Sequence, residues 1–312
     1  MKMDLSTYGT GWNPLRILKS LPVQEYVNQR LQLYWQTADL PRDWVGPIVS
    51  LLAEDVDEPE RALGQVFKRF PQFVETPSPF QERLREFRAS KVKHMIQRMA
   101  PYLRGDVFLD FGGRTQDVSE SVLREPNTIQ YAYVTDIAQF QEESEDPRIQ
   151  LVWQSEGDLV PMEDEFVDVA LASMVLHHIN RMTRRRLLSK LTKMIKPDGR
   201  IILIEDSYPM MPDRIEHNDP LALEFMKFTV DERFDIIGFF DWFGNTVTRN
   251  RRNFPYALTY ESMDYWEMLF ESFGYQTIHS EFIPFDKDAL DFMPPKAFMV
   301  FERADVPNPH IS

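Results

Sequence analysis

The sequence predicts an open α/β fold with a mostly parallel sheet. Three observations carry that expectation. From residue 107 onward, short apolar runs alternate with helix-like segments. Val167–Ala172 is almost wholly apolar, as suits a strand covered on both faces. The first run, Val107–Phe111, ends in Asp110-Phe111-Gly112-Gly113: an acid, then a glycine pair. Open α/β sheets receive ligands at the carboxyl ends of their strands, where such a turn lets backbone approach a nucleotide-like molecule.

The elements follow in order. Val23–Trp35 and Trp44–Ala53 have helix-like apolar spacing. Asp57-Glu58-Pro59-Glu60 reads as the start of another helix, with proline in its first turn and acids at its positive end. Residues 1–78 are therefore expected as a helical N-terminal region, closed by the turn Thr76-Pro77-Ser78-Pro79. Residues 79–312 are expected as one α/β domain. It opens with an amphipathic helix over 80–103 that carries Phe80, Leu84, Phe87, Val92, Met95, Ile96 and Met99 on its apolar side. Strands are predicted at Val107–Phe111, Ile129–Thr135, Ile149–Trp153, Val167–Ala172 and Ile201–Ile204. Helices are predicted from Val118 and over Arg184–Ile195, the latter stopped by Lys196-Pro197-Asp198-Gly199. Right-handed crossovers would join the strands in one sheet. An aromatic-rich insertion, 206–260, interrupts the pattern. A helix over Tyr265–Phe273 and two closing strands, Thr277–Phe285 and Ala297–Arg303, complete it.

Composition narrows the function. With 312 residues, 43% of them hydrophobic, the chain can build a sizeable core. Its formal net charge of −14 does not attract phosphate backbones, so nucleic acid is not the expected partner. The absence of cysteine excludes disulfides, thiolate zinc sites and cysteine nucleophiles. Met1–Gly11 is polar and lacks the apolar core of a signal peptide. No run of about 18 apolar residues is present, so no membrane span is expected. The expected location is cytoplasmic.

In the sheet, Asp136 closes the second strand as Asp110 closes the first, a pattern that reads as built around a small adenosine-containing ligand. At this point residues 80–303 resemble a class I S-adenosylmethionine-dependent methyltransferase of the group carrying a His-His pair after strand four. The resemblance implies a Rossmann-like methyltransferase sheet with an antiparallel last strand. Asp110 and Gly112 match the acid and first glycine of the family's opening motif, whereas Arg114 and Gln116 stand where further glycines are expected. Asp136 matches the ribose-binding acid. Ser155-Glu156-Gly157-Asp158-Leu159-Val160-Pro161-Met162 matches the loop after strand three. Glu156 falls there at the acid that meets the adenine amino group, and Asp158 is its alternative. Ser173-Met174-Val175-Leu176-His177-His178 matches the strand-four motif, and Lys196-Pro197-Asp198-Gly199-Arg200 the turn before strand five.

The resemblance implies S-adenosylmethionine as cofactor, held by Asp110, Gly112, Gly113, Asp136, Glu156, Gly157 and Ser173. A carboxylate suits a ribose diol because charged acceptors bond more strongly than neutral ones. Imidazole is a workable base for an acceptor hydroxyl, which makes His177 and His178 the catalytic candidates. Adjacent residues on a helix diverge by about 100°, so the pair is not expected to share a metal, and no metal site is predicted. Glu205, Asp206 and Tyr208 follow strand five and are expected to bind the acceptor. Arg184, Arg185, Arg186, Lys190 and Lys193 read as the solvent face of a helix. The expected activity is methyl transfer to a small or medium-sized organic acceptor, oxygen favoured. Two alternatives stand beside it. One is an inactive methyltransferase-like subunit, motivated by Arg114 and Gln116: a left-handed non-glycine residue costs about 1–2 kcal/mol, and, as the larger obstacle, either side chain could fill the space of the methionine portion. The other is a protein or RNA methyltransferase. The N-terminal helices are the candidate surface for a protein partner or a second copy of the chain.

Overall fold

A computed structural model of the protein describes residues 12–75, 78–137, 144–154, 162–211, 220–251, 259–283 and 294–304. The chain divides into two compact units. One gathers the residues up to Lys91 with Met211–Tyr260 and Ile283–Pro295. The other gathers Val92–Met210, Glu261–Phe282 and the residues from Lys296 onward.

The first unit is helical. Its helices are α1 (Leu21–Thr37), α2 (Val45–Glu54) and α3 (Pro59–Arg69), and α4 (Pro79–Met99) carries the chain onward. Pro59 opens α3, where its missing N–H would have had no helical partner. Aromatic rings form the core: Trp35 and Trp44 meet Phe73 and Phe80 at centroid distances of 5.7–6.3 Å. Two helices of the predicted insertion belong here, α7 (Pro220–Phe225) and α8 (Val230–Trp242). Tyr26 of α1 packs edge-on to Phe228 at 5.2 Å. A capping box between Thr229 and Glu232 starts α8, and a π-helical turn, Phe243–Val247, ends it.

The second unit holds the sheet. Its strands are β1 (Val107–Phe111), β2 (Tyr131–Asp136), β3 (Ile149–Trp153), β4 (Val167–Ser173), β5 (Ile195–Tyr208), β6 (Glu261–Ser262), β7 (Tyr275–Ile283) and β8 (Lys296–Arg303). Its helices are α5 (Asp117–Arg124), α6 (Arg181–Met194) and α9 (Met263–Glu271). The order is β3-β2-β1-β4-β5-β8-β7, with the two-residue β6 beside β5. Strands β1 to β5 run parallel and β8 runs antiparallel to β5. The order reverses between β1 and β4, which places the ligand crevice outside the carboxyl ends of these two strands.

One boundary departs from the sequence reading. Lys196–Gly199 is not a turn preceding a separate strand. Val167 faces Ile195 and Val169 faces Arg200, so these four residues bulge out of a continuous β5. Asp168 accounts for this bulge. Its carboxylate pairs with Lys196 at 2.8 Å and accepts the N–H groups of Asp106 and Val107 at 3.0 and 2.9 Å. That single acid ties β1, β4 and β5 together at the edge of the sheet opposite the crevice.

Candidate cofactor and methyl-transfer site

The crevice begins at Asp110. It lies on β1 between Val134 of β2 and Leu171 of β4, and only 3% of it is exposed. Its carboxylate presses against Gly113: a β-carbon there would sit 2.3 Å from Cγ of Asp110. Gly112 has φ of +77° and donates its N–H to the Thr135 carbonyl at 2.8 Å. A β-carbon on Gly112 would come within 2.3 Å of Val175, so both the backbone angle and the space demand glycine.

Arg114 and Gln116 do not carry the expected strain. Among the described residues outside glycine, only Asp39, Glu165, Met174 and Asn250 have positive φ. Gln116 sits at φ −81°, ψ −6°, just before α5, and the Arg114 side chain is exposed. The first glycine of the motif takes the strained position, so the departures at the later ones require no unfavourable backbone.

The site has a surplus of negative charge. Asp110 Oδ2 is buried with no hydrogen-bond partner among the described residues. Burial, and after it repulsion from Asp136 and Asp117, pushes the Asp110 carboxyl up to about 7. Asp136 stands half-buried at the end of β2, opposite Trp153 of β3. The Trp153 indole is fixed by its N–H on the Ile137 carbonyl at 3.0 Å, yet 57% of the residue is exposed. An exposed, tethered aromatic beside the ribose-binding candidate is a feature the sequence reading passed over. A lone tryptophan at a strand end carries no signal until its neighbours are known. Glu156 and Gly157 lie outside the described residues.

The fourth strand supplies the other side. Ser173 donates to Met95 Sδ at 3.7 Å. Met174 takes φ of +51° and donates its N–H to Ile204 at 2.7 Å, which turns the chain sharply over the end of β5. His177 and His178 follow on a single 3₁₀ turn, not on an α-helix. Their rings therefore do not diverge as expected: the centroids are 3.9 Å apart. His177 is buried and His178 half-buried.

Glu205, Asp206 and Tyr208, expected against an acceptor, meet a different arrangement: all three are buried. Glu205 Oε1 accepts the N–H groups of Val175 and Leu176 at 2.8 and 2.7 Å. Its Oε2 lies 2.5 Å from His177 Nδ1. Asp206 pairs with Lys296, its register partner on β8, and lies 3.8 Å from His177 Nε2. Tyr208 ends β5 opposite Ser262. Isolated acids after a strand look solvent-facing in sequence. Only β8, with its inward lysine, makes this a buried charge cluster.

Arg184 corrects a second expectation. Its neighbours Arg185, Arg186, Lys190 and Lys193 are exposed, but Arg184 is 0% exposed. It bonds Glu261 at 2.5 Å and lies over the Trp266 ring at 4.8 Å. A second arginine, Arg181, bonds the same carboxylate at 2.7 Å.

Residues 119–203 match the family model described as a methyltransferase domain. That stretch runs from α5 through β5 and so covers β2, β3 and β4, with the β4 side of the crevice. Three solved structures are similar to it. One is the 1,6-didemethyltoxoflavin-N1-methyltransferase of Burkholderia thailandensis, bound to 1,6-didemethyltoxoflavin and S-adenosylhomocysteine. It shares 14% identity over 70% of this chain and 79% of that one, with a TM-score of 0.42. The complex of the Haloferax volcanii Trm112 methyltransferase activator with a methyltransferase gives 12% identity, 72% and 93% coverage and a TM-score of 0.48. The mitomycin 7-O-methyltransferase MmcR gives 13%, 82% and 72%, and 0.43. No curated protein sequence matches the chain. Among the described residues, no helix is long and apolar enough to cross a membrane.

The residues present fit the cofactor. S-adenosylmethionine carries an ammonium and a sulfonium, and the crevice offers a buried carboxylate oxygen without a partner, with a further acid nearby. Gly112 and Gly113 leave bare backbone beside that acid, and Asp136 stands half-buried at the end of the neighbouring strand β2.

Proposed function

We propose that the chain is a class I S-adenosylmethionine-dependent methyltransferase that acts on a small or medium-sized organic acceptor, with oxygen as the favoured atom. The orphaned, buried Oδ2 of Asp110 is the observation that carries the cofactor half of this reading. Bound S-adenosylmethionine supplies an electrophilic methyl group. The chain's own residues do the rest. Asp110 receives the ammonium and Asp136 the ribose. Gly112 and Gly113 keep side chains out of the crevice, and Ser173 lines its β4 side. The imidazole pair after β4 supports the choice of oxygen, because a hydroxyl must lose its proton as the new bond forms. His178, the more accessible ring, takes that proton and His177 backs it. Glu156 and Gly157 are assigned to the adenine end on the family motif alone.

The backbone strain that was one motive for the inactive-subunit alternative is absent, since neither Arg114 nor Gln116 occupies a left-handed backbone. The net charge of −14 speaks against an RNA acceptor.

Calorimetry with S-adenosylhomocysteine tests the reading. Wild-type protein should bind. Asp136→Ala should bind about tenfold to a hundredfold more weakly, the loss expected for hydrogen bonds to a charged acceptor. Wild-type protein that takes up no S-adenosylhomocysteine would exclude the activity.

A further inference from the structure

We propose that Glu205 is a positioning residue: it holds His177 with the ring proton on Nδ1 and, through that ring, fixes the orientation of His178. The purpose of this device rests on the methyl-transfer reading above; its geometry does not.

Glu205 lies on β5 opposite Ala297 of β8 and is 0% exposed. A carboxylate in such a place must be fully bonded to be tolerated. Among the described residues, its hydrogen-bond partners all belong to the segment just past β4: the N–H groups of Val175 and Leu176 on one oxygen, His177 Nδ1 on the other. A carboxylate only accepts, so Nδ1 must be the donor. On its far side His177 faces Asp206 at 3.8 Å, and Asp206 is itself paired with Lys296. The ring is thus held by the bond at Nδ1 to Glu205, while the Asp206 carboxylate stands beyond hydrogen-bond distance of Nε2. The His178 ring lies tilted against it, with centroids 3.9 Å apart and the planes at 55°.

Anchoring the loop alone would not require an acid. A glutamine carbonyl would accept the Val175 and Leu176 N–H groups equally well. Only the bond to Nδ1 needs the second oxygen to be an acceptor. Glu205→Gln therefore separates the two roles. Its amide group would donate to Nδ1 and drive the ring proton to Nε2.

The test is ¹⁵N NMR of full-length protein labelled in histidine, as wild type, Glu205→Gln, His177→Phe and the double variant. Wild type should show His177 protonated on Nδ1. Glu205→Gln should move that proton to Nε2 and shift the His178 ring signals as well. In the His177→Phe background, Glu205→Gln should leave His178 unmoved, because the coupling runs through the missing ring. A wild-type His177 without a proton on Nδ1 overturns the proposal, and that spectrum decides even if Glu205→Gln fails to fold. A Glu205→Gln spectrum that keeps the Nδ1 proton overturns it too. S-adenosylhomocysteine calorimetry on the same samples reports separately: no binding beside an intact Nδ1 proton would sink the methyl-transfer reading and leave the dyad standing.

Discussion

Gly113 and Asp110 are in such close contact that no side chain could stand between them: a β-carbon on the glycine would reach the carboxyl carbon at 2.3 Å. The crevice floor is therefore made of one buried acid and bare backbone. The same logic governs Gly112, which adds a left-handed backbone and a wall formed by Val175.

Gly112→Ala should therefore lower stability by at least about 1–2 kcal/mol from the backbone angle alone. The clash with Val175 adds to this. Val175→Ala in the same chain should recover part of the loss, because it removes the nearest methyl group. Thermal unfolding of the two variants and the pair measures both effects. A Gly112→Ala protein as stable as wild type would contradict the geometry.

Asp110 makes the protein sensitive to pH in a definite direction. Its carboxyl is raised from 3.8 to about 7 in the fold, first by burial and then by Asp136 and Asp117. Between these values the folded chain holds a proton that the unfolded chain has released. Stability from this group is thus complete below about pH 4 and is lost as pH rises to about 7. Three pH units correspond to about 4 kcal/mol. Asp110→Asn should flatten that part of the stability profile, read by urea unfolding at pH 5, 6 and 7. An ammonium bound against Asp110 acts oppositely, so S-adenosylhomocysteine should bind with proton release near neutral pH. Calorimetry in buffers of different ionisation heat detects it.

Glycine restored to the degenerate motif should not help. Neither Arg114 nor Gln116 has positive φ, so Arg114→Gly and Gln116→Gly relieve no strain. Each instead loosens the unfolded chain by up to about 1 kcal/mol. Melting temperatures at or below wild type are expected. A clear gain in stability for either variant would show that the side chain is strained.

Arg184 should be far more sensitive than its neighbours. Among the described residues, Arg184→Met leaves the buried Glu261 carboxylate only the largely exposed Arg181 as an ion-pair partner. A loss of about 3 kcal/mol is expected. Lys190→Ala, on the exposed side of the same helix, should change stability by about 0.5 kcal/mol or less. Urea midpoints of the two variants make the comparison.

Much of the sheet was legible because its strands are local events. Val107–Phe111 is an apolar run bounded by Gly105 and Gly112, and Val167–Ser173 is an apolar run entered from the acidic stretch Glu163–Glu165, so both can be found without knowing their neighbours. The glycine–acid turn after β1 is local too. Lys196–Gly199 misled for the converse reason. A turn-forming tetrad was read by propensity, while Asp168 on another strand holds it as a bulge.

The chain alone thus determined its class of fold, the acid–glycine turn of its crevice and the acid that closes β2, since each is written within a few consecutive residues. Tertiary structure alone decided which charges are hidden and what they hold. Glu205 meets His177 across 28 residues, Arg184 meets Glu261 across 77, and Asp206 meets Lys296 across 90. Whether such a side chain is a solvated surface charge or a buried clamp depends on which strand or helix lies beside it. That is set by the register of the sheet and the packing around it, not by the sequence near the residue.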